Sequence, residues 1–231
     1  MAERQQYKTG RLTAKQAEAT QQSEAKPGVQ PLNLDRQKDS LLYVPKGYDS
    51  SRPAALAVML HGAGAPVQQG LSLLRNYADD HNLLLLAPAS RSYSWDIIAS
   101  KSFGPDVSYI DQALAFVFES YTLDPKRIAI GGFSDGASYA LCLGLTNGDL
   151  FTHIIAFSPG FAYTHARNGS PAVFISHGIH DPVLPIDPCG RRIVPQLQRQ
   201  GVKVSYTEFD GKHEIPAHIS QRAVEWFTGK A

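Results

Sequence analysis

Cysteine is scarce in this 231-residue chain: there are two, Cys142 and Cys189. One falls on an expected helix and the other in a loop, so spacing alone argues for no disulfide, and so few thiols fit a reducing compartment. An excess of either charge is also missing. Lys and Arg number 22 against 21 Asp and Glu, a net charge of +1, so no global field draws the protein to nucleic acid or to an anionic membrane. No apolar run reaches membrane-spanning length, and the N-terminus lacks the apolar core of a signal peptide. The expectation is a soluble, cytoplasmic protein with no membrane span. Fifteen prolines and nineteen glycines are scattered as turn punctuation and nowhere form a linker, and there is no internal repeat. What is present is a hydrophobic fraction of 43%, which suits one sizeable domain with a full core.

The most informative stretch is Arg127-Ile128-Ala129-Ile130-Gly131-Gly132-Phe133-Ser134-Asp135-Gly136-Ala137. A short apolar run reads as a buried strand, and the small residues after Gly136 read as a helix. Between them Gly132-Phe133-Ser134-Asp135-Gly136 is a G-x-S-x-G pattern in strand–turn–helix context, the signature of a nucleophile elbow. The turn holds its serine in a strained conformation, and the glycines leave room where a Cβ would clash. The serine hydroxyl then stands at the positive end of the following helix.

Around this turn the chain alternates strand and helix patterns. Strands are expected at 40–44, 56–60, 83–87, 128–130, 154–157, 172–176 and 202–209. Helices are expected at 69–80, 106–121, 135–145, 190–200 and 216–228. The alternation implies an α/β fold, a mostly parallel sheet with helices on both faces. Residues 1–34 are polar and nearly free of large apolar side chains. They read as an N-terminal extension, either a solvated helix over 13–25 or disorder, dispensable for catalysis, with residues 35–231 as the single catalytic domain.

A serine hydroxyl needs an adjacent base. In a fold that orders its triad as Ser, acid, His, the base follows the last strand and the acid the strand before it. His213 in Asp210-Gly211-Lys212-His213 fits the first place and Asp181 in His177-Gly178-Ile179-His180-Asp181-Pro182 the second, with Asp187 as fallback. His61 and His177, each before a glycine at a strand end, read as structural, and His218 as a surface residue. An oxyanion hole needs two backbone N–H groups, one from Asp135 after the nucleophile and one from Ala63 in Gly62-Ala63-Gly64. That run lacks the third glycine and the acidic residue of a dinucleotide fingerprint. His177, His180 and Asp181 imitate a metal cluster that no second group completes, so no metal is expected.

The segments Leu60-His61-Gly62-Ala63-Gly64, Ser94-Trp95-Asp96, Gly132 to Gly136, His177 to Pro185 and Asp210 to Pro216 resemble, in order, those of the α/β-hydrolase superfamily. Within it the chain is similar to the phospholipase/carboxylesterase group, with polyhydroxybutyrate-depolymerase-like esterases as near relatives. The resemblance covers most of the chain beyond residue 41. It implies an α/β-hydrolase fold without a large lid domain, and a serine esterase without cofactor. It makes Trp95 a wall of the acyl pocket. The short connection over 158–171 separately offers Phe161 and Tyr163 as further walls. Asp135 departs from the Gln common after the nucleophile in acyl-protein thioesterases. The expected substrate is a small soluble ester with a short to medium acyl chain. A thioesterase, lysophospholipase or peptidase with the same triad is the alternative, a non-catalytic binding protein a weaker one, and self-association is left open. If the three aromatics instead pack in the core, the cleft is shallow and polar, which favours acetyl esters or a sugar-linked acyl group.

Overall fold

A computed structural model describes residues 7–16, 26–163 and 166–229. Its centre is an eight-stranded sheet in the order β1-β2-β4-β3-β5-β6-β7-β8. The strands are β1 (Gly28–Pro31), β2 (Leu41–Val44), β3 (Ala54–Leu60), β4 (Leu83–Ala87), β5 (Leu123–Phe133), β6 (His153–Phe157), β7 (Ala172–Gly178) and β8 (Val204–Phe209). The β1–β2 and β2–β4 pairs are antiparallel and the remaining pairs parallel.

The helices are α1 (Gln68–Ser72), α2 (Asp96–Ala99), α3 (Pro105–Ser120), α4 (Asp135–Thr146), α5 (Gly190–Arg199) and α6 (Ala217–Thr228). Strand side chains alternate between two apolar layers, as a pleat with period two requires. Leu56, Val58, Leu60, Ile128 and Ile130 pack with α3, α4 and α5, and Ala55, Ala57, Met59 and Ala129 with α1 and α6. Because both faces are covered, β3 and β4 are apolar throughout. This is the mostly parallel, doubly covered sheet of an α/β hydrolase.

The sheet order also creates the crevice. From β3 the chain passes to β4 on one side, and from β5 it passes to β6 on the other. The loops leaving the carboxyl ends of these neighbours therefore diverge, which is where ligands bind in such sheets.

Two expectations fail. The helix over 69–80 is broken into α1 and a 3₁₀ turn at Arg75–Tyr77, because Leu74 leaves helical dihedrals (φ −129°, ψ 1°). Its buried positions Leu71, Leu74 and Ala78 still face the sheet. The division at residue 34 is not a boundary in the fold either. Strand β1 pairs with β2, Leu12 and Leu32 are buried in the core, and Arg11 pairs with Asp149 at 2.8 Å. Residues 13–16 carry no helix, and 17–25 lie outside the described residues. Two isolated leucines supply the burial that a polar composition hides.

Candidate active site

Strand β5 ends beside β3, with Gly132 opposite Leu60 and Phe133 opposite Phe157 of β6. The chain then turns sharply into α4, and Ser134 takes φ 58° and ψ −120°. A non-glycine residue there costs about 1–3 kcal/mol, so its surroundings must hold it. The Ser134 N–H donates to Phe157 O at 2.9 Å, and Ser134 O accepts from Ser138 N–H at 3.0 Å. The flanking glycines allow the close approach: a Cβ on Gly132 would lie 2.6 Å from Leu60 O, and one on Gly136 2.3 Å from the same atom.

His213 stands in the loop after β8, its ring 4.6 Å from that of Phe133. Its Nε2 accepts the Ser134 hydroxyl proton at 2.9 Å, and its Nδ1–H donates to Asp181 Oδ2 at 2.6 Å. The two loops are joined because pairing continues past the strands: Ile179 N–H donates to Phe209 O and His180 N–H to Gly211 O, each at 3.0 Å. Asp181 Oδ1 accepts from the N–H groups of Val183 (2.9 Å) and Leu184 (2.8 Å). Burial pushes the Asp181 carboxyl up, but the His213 hydrogen bond and these two N–H groups outweigh it and hold the group below the usual carboxylate range. Asp187 instead faces solvent and pairs with Arg191 at 2.9 Å.

The other histidines occupy structural places. His61 is buried: its Nε2 accepts from Ser90 N–H (3.1 Å), which leaves the proton on Nδ1 to reach Gly62 O (2.8 Å). His177 is fully buried, and its Nε2–H donates to Leu184 O at 2.7 Å, bracing the Asp181 loop. Burial holds His177 toward the neutral form, so its 3.5 Å approach to Asp181 is not an ion pair. His180 turns outward to Asp210 (3.2 Å), and His218 is exposed. No group of metal-ligating side chains gathers among the described residues.

At the sheet edge the N–H of Asp135 opens α4, and Ala63 is exposed in the loop facing the elbow. Neither N–H has an acceptor among the described residues. The loop is fixed through Gly62 N–H, which donates to Gln69 Oε1 at 2.7 Å, and through Trp95 Nε1–H, which donates to His61 O at 2.9 Å. Gln69 carried no signal in the sequence, because only the fold brings α1 back under this loop. Ser138 was missed too: its Oγ accepts from Gly160 N–H at 2.8 Å and so ties the loop after β6 to α4.

The expected pocket wall does not form as the resemblance implied. Trp95 is 0% exposed and stacks on Tyr139, with centroids 5.3 Å apart and planes at 19°. It belongs to the core, where its indole N–H donates to His61 O beneath the Gly62–Gly64 loop. Phe161 is half-buried against the core. Tyr163 is exposed and lines a cavity of about 170 Å³ with Leu145 and Gln196, which no triad candidate borders.

A family model described as phospholipase/carboxylesterase matches residues 105–228, more than half of the chain. The chain is 26% identical over 183 residues to an acetylxylan esterase of Coprinopsis cinerea, covering 74% of this chain and 46% of that protein. It is 27% identical to feruloyl esterase C of Emericella nidulans, covering 65% and 57%. The chain thus spans about half the length of the curated relatives it matches. Among solved structures it is similar to a phospholipase/carboxylesterase from Dyadobacter fermentans, with 25% identity, a TM-score of 0.58, and coverage of 83% and 96%.

Proposed function

The chain belongs to the phospholipase/carboxylesterase family, and from that premise we propose that it is a serine carboxylesterase acting through an acyl-enzyme on Ser134. The observation that carries the proposal is the unbroken hydrogen-bonded line from Ser134 Oγ through His213 to a buried Asp181. In this reaction His213 Nε2 takes the hydroxyl proton as Ser134 Oγ attacks the ester carbonyl. Asp181 fixes the tautomer and stabilises the imidazolium. The N–H groups of Asp135 and Ala63 receive the oxyanion. The tetrahedral adduct expels the alcohol, which takes its proton from His213, and water repeats the sequence to release the acid.

The preferred acyl group is short. Trp95 is withdrawn into the core, which removes one wall of an extended acyl pocket. No helix occurs among the described residues of 158–171, so no lid covers the nucleophile there. The relatives named acetylxylan esterase and feruloyl esterase support ester cleavage over thioester or peptide cleavage.

Labelling with a fluorophosphonate and rates on p-nitrophenyl esters from acetate to palmitate test the proposal. Wild type should label on Ser134 and turn over fastest between acetate and butyrate. Ser134→Ala should lose labelling and ~10⁴ to 10⁶ in rate. Turnover by the alanine variant, or a maximum at long chains, would overturn the assignment.

A further inference from the structure

The side chain of Asp135 takes no part in the acyl-transfer steps, yet it stands next to the nucleophile. We propose that its carboxylate sets the charge selectivity of the site, so that esters bearing a negative charge are turned away and esters bearing a positive charge are drawn in. The proposal rests on the esterase reading and extends it to the class of substrate.

Position comes first. The Asp135 N–H has no acceptor among the described residues and receives the oxyanion in the proposed reaction. Three bonds separate its nitrogen from the carboxyl carbon, so the two lie within about 4 Å of each other in any rotamer. With the oxyanion about 3 Å from the nitrogen, the carboxyl carbon stands within about 7 Å of the reacting oxygen. That is inside the screening length of about 8 Å at physiological salt. The rotamer is fixed as well. Ser94 Oγ donates to Asp135 Oδ2 at 2.6 Å, and Ser94 is buried beside Trp95, itself held by the bond from Nε1 to His61 O.

Charge comes second. Among the described residues Asp135 forms no ion pair, and Ser94 is its one side-chain partner. The facing loop, Gly62-Ala63-Gly64, has no charged side chain, and a Cβ on Gly62 would lie 3.6 Å from Ser134 Cβ. Lys212, beside His213 in sequence, is exposed to solvent, and Arg191 is taken up by Asp187 and Glu208. The other carboxylate of the site, Asp181 behind His213, has the same sign. Asp135 is tolerated because it stands in the first turn of α4, at the positive end of the helix. That end supplies roughly half a positive charge against a full negative one, so a net negative field remains at the carbonyl. Because Asp135 is half-buried, part of this field passes through protein and escapes screening by salt. A carboxylate, sulfate or phosphate near the scissile bond is therefore repelled, and an ammonium group is attracted.

The test uses the full chain and two pairs of esters matched in size, one charged and one neutral in each: monomethyl succinate with methyl butyrate, and acetylcholine with 3,3-dimethylbutyl acetate. Asp135→Asn should raise kcat/KM for monomethyl succinate relative to methyl butyrate about tenfold, and lower that for acetylcholine relative to its neutral partner by a similar factor. In wild type, raising NaCl from about 10 to about 500 mM should shrink both preferences, and the salt effect should be weaker in the variant. Glu214→Gln removes an exposed charge one residue from His213 and should leave both ratios in place. If Asp135→Asn slows all four esters alike, the side chain only supports the turn and the proposal is overturned. Wild-type ratios that ignore salt overturn it without any variant. An equal shift in Glu214→Gln would assign the effect to diffuse surface charge and also overturn it. A wild-type protein that cleaves none of the four and takes no fluorophosphonate fails the esterase reading itself. One that is labelled but treats charged and neutral partners alike fails the charge selectivity alone.

Discussion

Asp181 and Asp106 are both buried, 5% and 1% exposed, yet their carboxyls are shifted in opposite directions. Asp181 receives hydrogen bonds from His213, Val183 and Leu184, and sits below the ordinary carboxylate range despite burial. Asp106 receives the N–H groups of Arg91 and Asp96, each at 2.6 Å, but lies against a second carboxylate, Asp96. Burial, reinforced by that like charge, pushes Asp106 up to about 6. Asp96 Oδ2 in turn accepts from Gly104 N–H (2.8 Å) and Asp106 N–H (3.0 Å). Depth alone therefore does not make a carboxylate catalytic. Asp181 is set apart by its partner, His213, which reaches Ser134, whereas the Asp96–Asp106 pair staples the loop that carries Trp95.

The largest effect that would separate the two is on turnover. Asp181→Asn should lower kcat by about 10⁴, since the amide stabilises the wrong His213 tautomer. Asp106→Asn should stay within about tenfold in the same p-nitrophenyl acetate assay, because it touches no reacting group. Comparable losses would erase the distinction.

Stability against pH sharpens it further, because the slopes have opposite signs. Asp106 is raised from about 3.9 when unfolded to about 6 in the fold. Its contribution is complete below the unfolded value and lost as pH rises through 6. Asp181 is lowered, so its contribution is present above the unfolded value and lost as pH falls through the folded one. In urea titrations Asp106→Asn should cost about 1–3 kcal/mol at acid pH and progressively less toward pH 7. The cost of Asp181→Asn should grow over the same range. Parallel trends would refute the opposite shifts.

A third buried aspartate tests the stapling role on its own. Asp111 accepts from Thr13 N–H (2.8 Å), Ala14 N–H (2.7 Å) and Tyr7 OH (3.1 Å), and so binds the N-terminal segment to α3. Asp111→Ala should cost about 1–3 kcal/mol and leave kcat/KM unchanged at 25 °C. A loss of activity without a loss of stability would give the segment a catalytic part. The smallest effect belongs to exposed Asp187, whose pair with Arg191 is worth about 0–1 kcal/mol. Asp187→Asn should leave both rate and urea midpoint within error of wild type.

The elbow was legible because its requirements are local. Gly132, Ser134 and Gly136 must be neighbours in sequence for the turn to be that tight, and the buried strand before them is a continuous apolar run. Order along the chain did the rest, since Asp181 and His213 each follow the strand that the topology assigns them. Strand β1 was not legible: Gly-Val-Gln-Pro has poor strand character and is held at the sheet edge by pairing with β2 and by Gln30 Nε2, which donates to Tyr121 OH at 2.8 Å.

From the sequence alone came the α/β alternation, the nucleophile turn and the identity of the residues that stand beside it, because backbone strain and hydrophobic period act over a few residues. Only the tertiary structure decided that Trp95 is core and Tyr93 surface, that Gln69 holds the Gly62–Gly64 loop, and that the N-terminal leucines are buried in the core. Those outcomes depend on which distant atoms compete for the same space and the same hydrogen bonds. An aromatic two residues from another can lie on either side of that competition, and nothing in its own neighbourhood says which.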